Sequence, residues 1–379
     1  MLAEAELEAL APWRVSEVRD RAELGRMERE WDALLDASPA RGTTFLRHAF
    51  IRIWIDNFAP RARLRVLVAR DAAGALQAVL PLVEQRLRLY GVPRRALVST
   101  SNPHSCRFDA IARDGAAAAS AFFKHLAADQ SWDLLRLGDI PEGGNGTRLQ
   151  EAFRRDGWPT GAWESLRSPY VPLPGTWEEL AGRLSSKLKA NLRRRRRRLE
   201  EQAGGPVSCE RLAGGEDLEA YLETGFALES SGWKGQRGTA IAQSAATRGF
   251  YTELARWASR EGTLALRFLR AGDRRVAFHY ALVAPGRYFL LKPGYDESLG
   301  ECSPGQLLME EVLKECVAGG LGELDFLGPD MVWKRDWTDQ VRPHAWRYVF
   351  RRDRVGRALC AAKFRWLPAA KGAWARWTS

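Results

Sequence analysis

Cysteine is scarce in this chain: five residues in 379, at Cys106, Cys209, Cys302, Cys316 and Cys360. They are odd in number, scattered and without metal-ligand spacing. That excludes a disulfide framework and fits the reduced thiols of a cytoplasmic protein. Cys302 has no basic sequence neighbours to lower its pKa. No stretch approaches twenty uninterrupted apolar residues, so no membrane-spanning helix is expected. The N-terminus, Met1-Leu2-Ala3-Glu4-Ala5-Glu6, lacks the basic region of a secretory signal. Also missing are HExxH or paired-histidine spacing, a Walker A loop, a GxGxxG fingerprint and a G-x-S-x-G elbow, so no metal is expected.

Apolar residues make up 45% of the chain, enough with this length for two domains with real cores. The net charge is +11 and the isoelectric point about 9.7. Such a balance suggests a polyanionic partner: nucleic acid, an anionic membrane or a phosphate-bearing ligand. The bland alternative is an arginine- and alanine-heavy composition inherited from a GC-rich genome.

Along the chain the pattern reads strand (13–18), a helix capped by Asp20 and running through Trp31 and Leu35, and a helix from about Leu46 to Phe58. Strands at 64–69, 75–84, 96–101 and 108–112 follow, then a helix (116–128), a strand (132–137) and a helix (147–156). The second half repeats that order: strand 207–212, helices within 218–230 and 249–261, and strands 263–270, 274–283 and 288–292 with hairpin glycines at Gly272 and Gly286. A helix and the strands at 324–328 and 345–350 complete it. The repeat lies in the order of elements, not in residues.

Residues 288 to 330 organise the rest. Arg287 to Lys292 is a short unbroken apolar run, read as a buried strand, and Pro293-Gly294-Tyr295-Asp296 ends it. Ser303-Pro304-Gly305-Gln306-Leu307 is a helix start, with Ser303 as an N-cap accepting from a first-turn amide and Pro304 at the first helical position. Leu307, Leu308, Val312, Leu313 and Cys316 then share one face, and Gly319-Gly320 closes the helix. A strand–turn–helix of this kind aims free N–H groups and a helix dipole at one spot, which suits a phosphate. Gly305 lets a bulky anion approach the backbone. Lys292, Ser303, Gly305, Gln306 and Leu307 are the candidate residues for such a ligand. A plain strand–helix connection is the competing reading.

Side chains able to take, give or orient a proton beside such a ligand lie in and around this stretch. Asp296 is the first candidate base or orienting carboxylate, against a turn aspartate bonding its own backbone. His279, mid-strand beside Tyr280, is a second proton acceptor, against a polar residue on a half-buried strand face. Tyr295 is a candidate acid for a leaving group, against packing. Glu229, Trp233 and Lys234 lie in a glycine-containing loop after a helix and are candidates to close over an acceptor.

The run Gly262 to Phe350 resembles the GNAT acyltransferase core, in which an acyl-CoA pyrophosphate sits on the turn after the fourth strand. The pieces Ala277-Phe278-His279-Tyr280, Lys292-Pro293-Gly294-Tyr295-Asp296, Ser303-Pro304-Gly305 and Asp325-Phe326-Leu327-Gly328-Pro329-Asp330-Met331-Val332-Trp333-Lys334 resemble the CelD/BcsL-like acetyltransferases of cellulose and exopolysaccharide synthesis. That group is related to FemABX, and the likeness spans roughly residues 15 to 350. Of the GNAT phosphate signature only Gly305 is clearly placed. The resemblance implies an α/β (mixed) fold of two tandem GNAT-like domains, each a mostly antiparallel twisted sheet flanked by helices. It further implies an N-terminal domain over 13–175, a basic linking helix over 176–204, an acyl-CoA domain over 205–352 and a helical tail over 353–379. Lys334 resembles a lysine that stabilises negative charge in related transferases, against an exposed cation beside Arg335. The run Asn102, His104, Arg107 and Asp109 resembles an acceptor-binding run, giving His104 and Arg107 as candidates.

Thr176-Trp177-Glu178-Glu179 is a capping box, and Leu180, Leu184, Leu188, Leu192 and Leu199 make an apolar stripe behind it. Arg193 to Arg198 are six consecutive arginines on that helix. Nucleic-acid contact, contact with anionic lipid or polysaccharide precursor, and a solvated basic face all compete here. By resemblance, Lys187 and Arg193 belong to a basic segment expected to hold an anionic acceptor. The leading expectation is an acetyl-CoA- or acyl-CoA-dependent N-acyltransferase acting on an amine such as an amino sugar, by direct attack in a ternary complex. FemABX-like aminoacyl-tRNA-dependent transfer and a non-catalytic anionic-surface or nucleic-acid-binding protein are the alternatives.

Overall fold

A computed structural model describes residues 13–40, 43–231 and 241–367. The strands are β1 (Arg14–Val18), β2 (Arg63–Arg70), β3 (Leu76–Leu89), β4 (Val92–Ser99), β5 (Ile111–Ala112), β6 (Leu134–Pro141), β7 (Thr160–Pro172), β8 (Val207–Leu212), β9 (Leu264–Ala271), β10 (Arg274–Ala284), β11 (Arg287–Tyr295), β12 (Glu323–Asp325) and β13 (Val341–Phe350). The helices used below are α1 (Gly115–Ala128), α2 (Asn145–Arg155), α3 (Trp177–Arg183), α4 (Ser186–Ala203), α5 (Leu218–Ser230), α6 (Ala245–Arg260), α7 (Pro304–Ala318) and α8 (Arg354–Ala361). The chain forms two compact units, residues 1–166 with 343–379 and residues 167–342. Strands β7 and β13 each carry residues of both.

Within the first unit, β1, β2, β3 and β4 pair antiparallel in that order, and β4 then pairs parallel with β6 at Ala96 to Val98 against Leu134 to Arg136. β13 completes the ladder antiparallel to β6. Helices α1 and α2 cover one face through Phe122, Leu126, Leu149 and Phe153, packed on Leu67, Leu80, Leu97 and Leu135. The second unit repeats the grammar. β8, β9, β10 and β11 pair antiparallel, and β11 pairs parallel with β12, which pairs antiparallel with the end of β7. Helix α7 lies on one face over Ala277, Ala281 and Leu290, and the face on which Tyr280 meets Tyr251 carries α5 and α6. This is a mixed α/β fold of two units built on the same order of strands, each a mostly antiparallel sheet flanked by helices.

Several boundaries differ from the sequence reading: β11 runs through Pro293 and Gly294 to Tyr295, β12 stops at Asp325 and β3 extends to Leu89, and three further differences have a local reason. The helix after Asp20 is two helices, Arg21–Arg26 and Glu28–Asp36, parted at Met27, although Asp20 does cap the first through the Glu23 N–H. The arginine helix is likewise two: α3, with Thr176 accepting from Glu179 N–H, ends at Leu184, whose backbone is extended. Ser185 then caps α4 through the Leu188 N–H. The leucines of both still form one buried stripe, inside the core of the second unit. The third is β7, thirteen residues long and without an element assigned to it from sequence. Its proline, glycine and polar content breaks the apolar alternation that marks a strand.

In the first unit a buried guanidinium ties four segments together. Arg65, 1% exposed, meets Glu17 at 2.6 Å, Asp129 at 2.6 Å and Glu84 at 3.0 Å. Burial raises the Glu17 carboxyl, but hydrogen bonds from His125, Arg65 and Arg19 outweigh it and hold the group down at about 2. A carboxylate depressed in the folded state stabilises the protein above its unfolded value, near 4.5, and that contribution is lost as pH falls toward 2. Its size is roughly 2–4 kcal/mol. Denaturant titrations at pH 6 and pH 3 should therefore show a smaller stability loss on acidification in Glu17→Gln than in the parent; equal losses would remove this group from the acid response.

Candidate functional site

The site is built where β11 and β12 part. Their parallel pairing covers only Arg287, Tyr288 and Phe289 against Glu323, Leu324 and Asp325. β11 runs on to Tyr295 against β10, with Leu291 bulged out between the pairs at Leu290 and Lys292. Among the described residues no strand pairs with the other edge of β11 beyond Phe289. The chain on the β12 side turns away because Leu327 and Gly328 both take left-handed backbones, with φ of 51° and 58°. No strand continues through two such residues.

Two buried charges hold that turn. Asp325, 0% exposed, accepts from the Leu327 N–H at 2.9 Å and from Arg342 at 2.9 Å. Lys334, 4% exposed, donates to the Leu327 and Pro329 carbonyls at 2.6 and 2.8 Å and lies near the rings of Phe326 and Trp333. The exposed-cation reading of Lys334 is thus corrected, since its stem and ammonium sit inside the loop. Arg342 was missed by sequence reasoning. Its pairing with Asp325 depends on strand placement, which no local pattern records.

The other wall is the β11–α7 turn. Ser303 is the N-cap of α7, but with φ of 46° its side chain makes no cap bond, which corrects the expected N-cap bond. The Ser303 carbonyl takes the Gln306 and Leu307 N–H groups instead. Pro304 has no N–H, and the Gly305 N–H has no acceptor among the described residues. A β-carbon on Gly305 would lie 3.5 Å from the Tyr295 ring, in ordinary contact. The Gln306 side chain is committed to the 333–337 segment, accepting from Trp337 at 2.5 Å and donating to the Trp333 carbonyl at 3.4 Å. Leu307 is buried in the core and offers only backbone.

The remaining candidates separate. Asp296 caps the following turn: one oxygen takes the Ser298 N–H and hydroxyl at 3.0 and 2.6 Å, and the other meets Arg274 at 2.9 Å. Tyr295 is half-buried, and its carbonyl accepts from the Ser231 hydroxyl. His279, 1% exposed, is enclosed mid-sheet opposite Pro293 and Arg267. Lys292 points at Glu229, 4.0 Å away, and at the Tyr251 ring. Glu229 is buried and accepts from the Ile241 N–H at 2.9 Å. Trp233 and Lys234 lie outside the described residues. Lys187 and Arg193 are exposed on α4, while Arg196 bonds Glu310 and Glu311 of α7 and Arg198 bonds Glu301. In the first unit His104 stacks on Phe58 at 5.4 Å, Arg107 is buried, and Asp109 caps α2 through the Asn145 and Gly146 N–H groups.

Residues 186–335 match the family described as an acetyltransferase (GNAT) domain. The second unit carries a GNAT domain. With it the chain is an N-acyltransferase by class. Its fold is shared with FemX, at 11% identity, TM-score 0.56, and coverage of 89% of this chain and 97% of that one. It is shared also with L-PGS from Bacillus licheniformis, at 13% identity, TM-score 0.51, and coverage of 91% and 96%. A third likeness is the C-terminal domain of an Agrobacterium fabrum protein named as a lysylphosphatidylglycerol synthetase, at 11% identity, TM-score 0.51, and coverage of 90% and 96%. At such identities these show a common fold. No curated protein matches the sequence.

Two glycines of this GNAT domain make a test of the geometry. A β-carbon on Gly294 would sit 2.6 Å from the Glu229 Cα, in rigid backbone, whereas Gly305 has room. Gly294→Ala should cost about 2 kcal/mol or more in denaturant titrations and Gly305→Ala less than about 1 kcal/mol. The reverse order would contradict the packing described.

Proposed function

We propose that this GNAT domain binds an acyl-CoA with its diphosphate at the start of α7 and its pantetheine arm along the open edge of β11. The carrying observation is the contrast between two equivalent helix starts. In the first unit, Asp114 caps α1 with its own carboxylate, accepting from Ala116 and Ala117 N–H groups at 2.8 and 3.1 Å. A second anion there would meet like charge. In the second unit the start of α7 has no carboxylate cap, and the Gly305 N–H points from a fifteen-residue helix. An anion at that end is favoured by the dipole and the unpaired donor together.

The amine acceptor attacks the thioester carbonyl, its nitrogen forming the new bond while the carbon–sulfur bond breaks. Tyr295 supplies a proton to the departing thiolate and regains one from the acylated nitrogen through water, and the Lys334 ammonium, fixed between two carbonyls, stabilises negative charge where β11 and β12 part. Asp296 sets the turn that places Tyr295 over Gly305. His279 and Lys292 support the sheet behind them. No covalent acyl-enzyme is required. An amino sugar in polysaccharide or envelope metabolism, handled in the cytoplasm, is the acceptor we favour from the CelD/BcsL resemblance. His104, Arg107, Lys187, Arg193 and Glu229 stand as acceptor-side candidates. The folds shared with FemX and the lysylphosphatidylglycerol synthetase domain favour one second reading, transfer of an aminoacyl group from tRNA.

Saturating acetyl-CoA should raise the melting temperature of the parent, as a ligand at one hundred times its Kd contributes about 2.7 kcal/mol. Gly305→Asp should abolish that rise while Gly305→Ala keeps most of it. Lys334→Met should lower kcat in a thiol-release assay roughly a hundredfold, with acetyl-CoA affinity within about threefold of the parent. A protein indifferent to every acyl-CoA but bound by tRNA in a salt-sensitive manner would move the conclusion to the second reading.

A further inference from the structure

Six large apolar side chains are exposed among the described residues, and five of them belong to the first unit: Tyr90, Trp163, Val355, Trp366 and Leu367. Tyr90 lies close enough to Tyr348 to act on its hydroxyl, and Tyr348 meets Trp163 edge to face. Helix α8 and the π-helical turn Ala362–Trp366 bury one face through Gly356, Leu359 and Lys363. Phe364 packs on Trp163 and Tyr348, and a β-carbon on Gly161 would strike its ring. The outward face then carries Val355, Trp366 and Leu367, alternating with exposed Arg354, Arg357 and Arg365. None of these three arginines has a carboxylate partner among the described residues, and Asp353, whose carboxylate takes the Gly356 N–H, is the sole acidic residue after Asp339.

A second observation lies beneath the rim. Lys363, 9% exposed, places its ammonium 3.7 Å from the Trp163 ring centroid and 4.7 Å from that of Tyr348. Arg136 on β6 lies 5.3 Å from the Trp346 ring, and the charges of Arg136 and Lys363 repel. Neither has a carboxylate or hydrogen-bond acceptor among the described residues. Paired cations of this kind, held by aromatic rings and left without a counter-charge, fit a polyanionic partner.

We propose that this face, Arg354 to Leu367 with Tyr90 and Trp163, docks the protein on an anionic phospholipid bilayer. Tryptophan and leucine enter the headgroup boundary, the arginines meet phosphates, and Lys363 with Arg136 receives a headgroup beneath Trp163. The arginine helix α4 is the rival basic surface, but its leucines are buried in its own core and it exposes no aromatic side chain. Charge without exposed apolar area gives weak, purely salt-dependent attraction.

The test is vesicle co-sedimentation of the full chain. Vesicles of phosphatidylcholine with about 30% phosphatidylglycerol should bind it, and pure phosphatidylcholine should bind it at least tenfold more weakly. Trp366→Ser with Leu367→Ser, and separately Arg357→Gln with Arg365→Gln, should each weaken binding about tenfold at an unchanged melting temperature. The α4 control, Arg193→Gln with Arg194→Gln, should stay within about twofold. No binding to the anionic vesicles would overturn the proposal. So would binding lost only in the α4 control, or tRNA binding that the C-terminal variants abolish while vesicle binding persists.

Discussion

Everything in the second unit depends on two strands that separate after three paired residues. β11 continues and β12 does not, because the backbone at Leu327 and Gly328 is left-handed and cannot propagate a ladder. Leu327 is not a residue that adopts this conformation without support. The support is electrostatic: Asp325 holds its N–H from inside the sheet, and Lys334 holds its carbonyl from the loop. Each charge is buried, so each must be compensated in full, and Arg342 does this for Asp325. The opening between the strands is thus maintained by groups that would be costly to leave unpaired.

The two units share this plan but differ at one helix start. Each has a parallel pair of three residues, β4 with β6 and β11 with β12. In each, a long helix, α1 or α7, lies in the chain between the two paired strands. What differs is the chemistry at the helix start: a carboxylate cap at Asp114, and an αL serine followed by proline and glycine at Ser303. A capped helix is finished locally, whereas one without a side-chain cap retains donor capacity for a ligand. The arginine-rich α4 also takes a mixed role in this setting. Arg196 and Arg198 bind acidic residues of the second unit, so part of the run is structural, and the charge at Arg193 remains for solvent or a ligand.

The apolar runs made the strands of the second unit and α7 legible, and the proline–glycine signal at 304–305 located the helix start. Local interactions of that sort are written in neighbouring residues. What stayed hidden depends on partners far away in sequence. The commitment of Asp296 to Arg274 follows from the β10–β11 register, and the burial of Lys334 follows from a loop that folds back over seven residues. The breaks at Met27 and Leu184 fall inside continuous apolar periodicity, which carries no record of a turn. Likewise β7 has a burial pattern too irregular to reveal a strand, although it supplies the antiparallel neighbour of β12.

A crystal of the full chain soaked with CoA is the most direct measurement. Diphosphate density should lie within hydrogen-bonding distance of the Gly305 N–H, with a pantetheine arm beside Leu290 to Tyr295. Density for the diphosphate elsewhere, with β11 and β12 zipped beyond Phe289, would contradict that placement.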